Sequence, residues 1–450
     1  MVAGGFLGRV GDAWRQGKGF RVALLLALGF VVLRLAAQVL LSTGVLTTGQ
    51  FGQEVFFPPD LQDYWNAARH IQAGEDLYLA GALDRVEFYQ YTPSFALAFS
   101  AFLVLSPMAL VLTHTVLHLA AYVGLWFSWD RIFRRLGLEQ ARRALVYTLP
   151  VWLVFSGFWS DLVFLNTYII MALLATQLID AVLHERLGWS LVWLSIILQI
   201  KPQWAFAAAL PLLLGRPRFF VRLVGLAIAA YAGVVALTCL AVGPAYGLEQ
   251  HADYFSFLWN MRQNFPWRGA EAPFLGYNHS IAQIVTYLLG VSPGTLRLAL
   301  AIKALLLVPL AVLGLRHVLN PVGHAGREVP RLALDLTFAL YLAAFVWLDM
   351  VWELSLGVAL FTYVLATEER RQARPLIWAA FLCYALQDLG RLLSVALLGP
   401  GIMTANGYVL SDPAIYLPLN MMVILFFYGL LIYRLRAGRL PLPAAGSVGP

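Results

Sequence analysis

Long apolar runs recur from one end of the chain to the other, and they decide what it can fold into. They fall at about 22–41, 94–129, 144–160, 162–182, 189–200, 203–215, 219–242, 295–318, 332–348, 353–367, 375–397 and 414–434. A helix crossing the hydrocarbon core of a bilayer needs roughly 20 consecutive apolar residues. Of 450 residues 60% are hydrophobic and only 12% charged, against about 25% charged in a soluble domain. A soluble enzyme is therefore excluded. The pattern predicts an all-α, multi-pass membrane protein, a single transmembrane domain over 1–450 with about 12 transmembrane helices.

Two stretches depart from one run per span. The run at 94–129 is too long for a single crossing and is interrupted at Pro107, which predicts an in-plane or re-entrant piece followed by one span. The runs at 189–200 and 203–215 are each only about 18–20 Å if helical, which predicts two half-depth helices meeting at Lys201-Pro202. The first run, Val22 to Leu41, is too long for a signal-peptide core and reads as a retained anchor. Cys239 and Cys383 both lie inside apolar runs, so they offer neither a disulfide framework nor a cysteine metal site.

The net charge of +7 is an orientation signal. With a cytoplasmic N-terminus, inside segments carry 22 of the 31 Lys and Arg residues, clustered at 9–21, 131–143, 186, 216–222, 316–331, 370–374 and 434–439. This is the positive-inside pattern, so no nucleic-acid partner is expected. It predicts the plasma (inner) membrane, both termini cytoplasmic and a cytoplasmic tail at 435–450. The first outside loop, 42–93, is the opposite, with seven acids and two arginines. A second outside loop spans 243–294. Both are rich in aromatics, among them Tyr64, Trp65, Tyr78, Tyr89, Tyr91, Tyr254, Trp259 and Trp267. Such loops suit the handling of sugars or lipid head groups at the bilayer edge.

Candidate chemistry sits in these loops and at the short runs. From Pro58 to Trp65 a helical pattern begins, with Leu61, Trp65, Ala68 and Ile71 on one face and Gly74 as its stop. Asp60 at its start reads either as a helix cap or as a general base for an acceptor hydroxyl. Lys201, between two apolar runs, either snorkels to the outer interface or binds a phosphate at the mouth of the membrane. Arg34, Arg297 and Lys303 favour internal ion pairs or lipid-phosphate contacts. In the second loop Arg262, Arg268, Asn278, His279 and Ser280 are the polar candidates. His114 and His118 stand four apart, but no acid lies between them as in His-Glu-x-x-His. Asp349 and Glu353, beside Trp347 and Trp352, form a carboxylate pair that is either functional or solvated at the outer interface.

These residues resemble a family. Asp60-Leu61-Gln62-Asp63-Tyr64, Gly74 to Tyr78 and Tyr91-Thr92-Pro93-Ser94-Phe95 are similar to the Asp-x-x-x-Tyr, Gly-x-x-x-Tyr and Tyr-Pro-Pro-Phe series of glycosyltransferase family 87. Ile200-Lys201-Pro202-Gln203, then Leu212 to Arg216, resemble its lysine motif and basic turn, and Asn278-His279-Ser280 its Asn-x-Ser element. The family consists of GT-C fold enzymes that use polyprenyl-phosphate sugars, and includes the mycobacterial mannosyltransferases of phosphatidylinositol mannoside synthesis. The departures are Thr92 for the first proline of the pair, Leu165-Asn166-Thr167-Tyr168 for Gly-Gln-x-Asn, and Trp347-Leu348-Asp349-Met350 for Trp-x-His-His.

The resemblance implies Asp60 as catalytic base and Lys201 beside the donor phosphate. Asp63, Tyr64, Tyr91, Gln203, Arg262, Arg268, Asn278, His279, Trp347, Asp349 and Glu353 are the expected substrate-binding residues. The expected reaction is inverting transfer of a sugar, mannose favoured, from polyprenyl phosphate to a glycolipid or glycan hydroxyl of the cell envelope. No cofactor is expected, and the metal requirement is open. Besides donor and acceptor, membrane lipids are the expected partners. Two other classes stay open: a transporter or flippase of a lipid-linked sugar, and an inactive relative acting as an assembly partner. A transporter would tend to show interrupted helices in both halves, whereas the sequence suggests only the 189–215 break.

Overall fold

The computed structural model describes residues 6–43, 57–78, 89–265, 267, 269, 278–319, 329–351, 354–398 and 413–437. Among them every regular element is a helix. Six helices are long and apolar enough to cross a membrane: Lys18–Leu40, Pro107–Arg135, Pro217–Val242, Pro293–Leu319, Pro330–Trp347 and Pro418–Ala437. Two bent pairs raise the number to eight if each is one span: Glu139–Tyr147 with Leu149–Phe164, bent by 54°, and Ala373–Ala385 with Gln387–Ser394, bent by 59°. The sequence expectation of about twelve spans counts apolar runs that belong to shorter helices. Gly357–Thr367, for example, is only 11 residues long, and Gly357 to Val364 are all buried inside the protein. Its apolarity reflects protein packing and does not need lipid.

The breaks expected from proline fall where the sequence puts them, with one change of geometry. Pro93–Phe99 and a 3₁₀ turn at Ser100–Val104 precede the Pro107–Arg135 span, whose first turn is capped by Ser106 Oγ accepting from the Ala109 amide at 3.3 Å. Leu187–Ile200 ends at Lys201-Pro202 as expected. The next segment is not a half-depth α-helix: Pro202–Ala209 is a 3₁₀ helix, and only Leu210–Leu213 is α-helical. With Pro202 at its first position the segment cannot continue the preceding ladder, and the tighter 3₁₀ winding advances about 2 Å per residue.

The long segments at 42–93 and 243–294 carry helices of their own. Pro59–Ala73 starts with a proline at its first position and closes on Gly74, which adopts φ 72°, a left-handed helix end that glycine takes without strain. Pro244–Asn264 folds back on the Pro217–Val242 helix through Gly243, at φ 101°. The two helices touch so closely that a Cβ on Gly247 would lie 2.6 Å from Cys239 Cα. Ile281–Leu289 comes next, capped by Ser280 Oγ, which accepts from the Gln283 amide at 3.1 Å.

One long-range ion pair ties the first span to the C-terminal third. Arg34 Nε lies 3.0 Å from Asp388 Oδ2, both side chains are buried, and the Arg34 guanidinium lies over the Trp159 ring at 5.6 Å. The Asp388 amide donates to Ser156 Oγ at 2.8 Å. Removing one partner of a buried pair strands the other charge, at a cost of about 3–5 kcal/mol, whereas an apolar replacement of both is close to neutral. Thermal unfolding in detergent should therefore show Arg34→Leu strongly destabilised and Arg34→Leu/Asp388→Leu recovering most of the loss. A double variant as unstable as the single one contradicts this.

Candidate functional site

Asp60 is the second residue of the Pro59–Ala73 helix, and Pro58 occupies the cap position without a side-chain bond. The cap reading of Asp60 is thereby corrected: Pro59 takes the first helical position, so Asp60 lies one residue too late to cap. The half-buried carboxylate instead accepts from Asn166 Nδ2 at 2.8 Å. Burial pushes this carboxyl up to about 6, against the opposing pull of the Lys201 charge and the Asn166 bond.

Asn166 is the hub of the site. It follows Leu165, which closes the Ser156–Phe164 helix at φ 50°. A left-handed conformation at a non-glycine residue costs about 1–2 kcal/mol, and Leu165 stands where the resembled Gly-Gln-x-Asn pattern has glycine. The turn aims the Asn166 side chain at the Pro59–Ala73 helix and at Tyr91. Its Oδ1 accepts from the Thr167 amide at 2.7 Å, from the Tyr64 hydroxyl at 3.3 Å and from the Tyr91 hydroxyl at 3.4 Å. The two hydroxyls are 2.8 Å apart. Burial raises both phenols well above their ordinary range, so they serve as hydrogen-bond donors rather than as bases.

Behind Asn166, Asp161 caps the Tyr168–Leu183 helix, accepting from the amides of Tyr168 at 3.3 Å and Ile169 at 3.0 Å. It lies 3.6 Å from His118 Nε2. Both His118 nitrogens face backbone carbonyls, Nδ1 that of His114 at 2.7 Å and Nε2 that of Asn166, and the neutral ring donates to one of them. The spacing of His114 and His118 thus serves packing at this turn, and their ring centroids are 6.3 Å apart. Among the described residues no three His, Cys, Asp or Glu cluster as metal ligands.

Lys201 is buried at 4% exposure. Its ammonium lies 3.6 Å from the centre of the Tyr168 ring and 5.1 Å from that of Tyr91, and Asp60 and Asp161 act on it electrostatically. Thr92, the departure from the proline pair, closes the helix end beside it. Its Oγ donates to the Gln199 carbonyl at 2.6 Å and accepts from the Phe95 amide at 3.2 Å. A proline there would have no hydroxyl for either bond.

A second polar cluster forms around Asp349. Lys303 Nζ lies 2.6 Å from Asp349 Oδ1 and also donates to the carbonyls of Trp347 at 3.0 Å and Leu348 at 2.9 Å. Asn278 braces the same turn: its Nδ2 donates to the Asp349 carbonyl at 2.9 Å and its Oδ1 accepts from the Val351 amide at 3.1 Å. The His279 amide donates to the Val351 carbonyl at 2.9 Å, and Asn420 Nδ2 meets His279 Nε2 at 3.0 Å. Arg262 donates to the Leu296 carbonyl, and its charge acts on Lys303.

A small cleft, with room for little more than a water molecule, is lined by Tyr168, Gln203, Trp204, Phe206, Tyr341 and Met350 among others. Tyr168 carries the Lys201 ammonium, and Met350 adjoins Asp349, so the cleft borders both clusters.

The structure thus brings Asp60, Tyr64, Tyr91 and Lys201 into one neighbourhood, with Gln203 on the adjoining cleft and Asp63 half-buried on the same helix as Asp60. It groups Asn278, His279, Asp349 and the backbone of Trp347 elsewhere, with Arg262 toward Lys303. The Trp347 side chain is 52% exposed. Arg268 and Glu353 lie outside the described residues. Asp161 and Asn420 are missed by sequence reasoning, and Asn166 and Tyr168 enter it only as a departure from the Gly-Gln-x-Asn pattern, because the partners that give Asn166 and Asn420 their roles are distant in the chain. Compared with models of protein families, with curated proteins and with solved structures, the chain matches none.

If Asn166 braces the site, Asn166→Ala should lower stability by about 1–3 kcal/mol, the range for stranding buried partners, and Tyr64→Phe by about 1 kcal/mol. Thermal unfolding in detergent measures both, and an unchanged midpoint for Asn166→Ala contradicts the hub.

Proposed function

We propose that the chain is a membrane glycosyltransferase that moves a sugar, mannose favoured, from a polyprenyl-phosphate donor to a glycolipid or glycan hydroxyl with inversion. The observation that carries this reading is the pairing of unlike groups around one turn. A half-buried carboxylate, Asp60, is held by Asn166 and feels the charge of a buried ammonium, Lys201, that rests on aromatic rings. In this reading Asp60 takes the proton of the acceptor hydroxyl while the acceptor oxygen forms its bond to the anomeric carbon. The bond from that carbon to the phosphate oxygen breaks, and polyprenyl phosphate leaves with the electron pair. Lys201 is the fixed positive charge that meets the departing phosphate, and charge already in place in a dry site acts far more strongly than in water. The resemblance to glycosyltransferase family 87 supplies the substrate class. It also suggests a GT-C-like bundle in the plasma (inner) membrane, both termini cytoplasmic and Asp60 on the outer side.

A second reading, transport of a lipid-linked sugar, gains support from the two bent helix pairs, one in each half of the chain. Turnover in detergent separates them, since a transporter has no gradient there to use. With a polyprenyl-phosphate mannose donor and a glycolipid acceptor, Asp60→Asn should retain folding and donor binding while turnover falls by roughly 10²- to 10⁴-fold. Full activity in Asp60→Asn rejects the assignment of the base.

The base must be ionised to act. Activity should therefore be lost as pH falls through about 6 and be restored above it. Because the Lys201 charge draws the Asp60 ionisation down, the same limb in Lys201→Met should lie at higher pH. A pH profile of kcat/KM checks both, and an unmoved limb in Lys201→Met argues against the pairing.

A further inference from the structure

The Pro244–Asn264 helix divides into three faces along its length. At 100° per residue, Leu248, Ala252, Phe255 and Trp259 fall on one stripe, and all are exposed, Trp259 by 87%. Glu249, Asp253, Ser256 and Asn260 form a second, polar stripe. Gly247, Gln250, His251 and Tyr254 form the third, and all are buried against the protein.

That buried face clamps the first outside loop. The Tyr246 hydroxyl donates to the Glu75 carbonyl at 2.6 Å, the Leu77 amide donates to Gln250 Oε1 at 2.9 Å, and Gln250 Nε2 donates to Asp76 Oδ1 at 3.3 Å. Tyr254 and Phe257 each lie 5.8 Å, ring to ring, from Tyr78, whose hydroxyl donates to the Tyr91 carbonyl.

We infer that this helix lies in the membrane–water interface at the Val242 end of the preceding span, with Leu248, Phe255 and Trp259 in lipid, and that the bilayer itself is the partner of the exposed apolar stripe. Continuity commits the face to lipid. The Pro217–Val242 span exposes Leu237 by 67% and Leu240 by 73% just before the bend. A lipid-facing surface therefore runs up to the point where the helix begins. Gly243 turns the chain at φ 101°, and the contact of Gly247 with Cys239 leaves the helix no room to stand off from the span. A tryptophan at the centre of the apolar stripe suits the head-group level, where one side of the ring meets hydrocarbon and the other water. The solvated stripe is acidic, so apolar burial and not attraction to anionic lipid seats the helix. Membrane seating is then part of what holds the 75–78 segment, and through Tyr78 the position of Tyr91. None of this requires the transferase reading.

The test uses the full chain in phosphatidylcholine nanodiscs, on a Cys383→Ser background that keeps the buried Cys239. A fluorophore on Trp259→Cys should be quenched by acyl-chain nitroxide lipids roughly threefold or more above the same label on Asp253→Cys, and iodide in the water should give the reverse order. Phe255→Cys and Leu248→Cys repeat the measurement should Trp259→Cys fail to fold. Iodide quenching at 259 equal to that at 253 overturns the inference, and so does protection from both quenchers, which would mean that protein covers the stripe. Trp259→Glu should accelerate amide exchange over 75–78, and unchanged exchange there overturns the clamp.

Discussion

In a chain this apolar, every charge taken out of water must be balanced from within the protein, and the arrangement of the helices reflects how that is done. Arg34 is matched by Asp388, Lys303 by Asp349 and Arg434 by Asp335, each within about 3 Å. Each pair joins elements far apart in sequence, so pairing the charges also fixes which helices meet. Lys201 is balanced differently. Its ammonium rests on the face of Tyr168, and the carboxylates of Asp60 and Asp161 reach it through their fields. Aromatic faces stabilise a desolvated cation by about 2 kcal/mol, comparable to the ~2.5–3.5 kcal/mol that insertion scales assign to an ammonium at membrane depth. Lys303, by contrast, is bound directly to a carboxylate and two carbonyls.

The polar neighbourhood of Lys201 exists because helices end there. Leu187–Ile200 stops at Pro202, Ser156–Phe164 stops at Leu165, and Pro93–Phe99 starts at Thr92. Each terminus leaves backbone groups without helical partners, and the side chains that answer them are those that shape the site. Thr92 takes up the Gln199 carbonyl, Asp161 takes up the Tyr168 and Ile169 amides, and Asn166 takes up the Thr167 amide while holding Asp60. Satisfying chain ends and positioning the Asp60 carboxylate are therefore one arrangement of hydrogen bonds. The strained backbone of Leu165 belongs to it, since a relaxed turn would aim Asn166 elsewhere.

Local features were the legible part of the sequence. Gly74 as a helix stop, Pro107 as a break and Lys201-Pro202 as a break depend only on the backbone preferences of the residues named, and each appears in the fold. Asp60 as a cap was a plausible local reading that Pro59 overrules, because a proline prefers the first helical position and moves the cap back to Pro58. The number of spans was not legible, since hydropathy does not distinguish a helix surrounded by lipid from one surrounded by protein. Gly357–Thr367 is the clearest case. The hub at Asn166 was the least legible, because its partners Asp60, Tyr64 and Tyr91 lie 106, 102 and 75 residues away.

The bracing of Asp60 bears on the choice between transfer and transport. A transporter must exchange one set of contacts for another as its halves rock, so its binding groups sit on elements that move relative to each other. Asp60 is instead bonded to a turn whose side chain also holds Tyr64 and Tyr91, and Tyr91 is held in turn by Tyr78 beneath the Pro244–Asn264 helix. Moving any one of these elements breaks hydrogen bonds in several others. A group fixed from so many sides suits a reaction whose acceleration comes from geometry set in advance. The two bent pairs are tied into the same arrangement: Asp161, on the second helix of the 139–164 pair, caps the Tyr168–Leu183 helix, and Ser156 on the same helix bonds the Ala385 carbonyl and the Asp388 amide of the 373–394 pair.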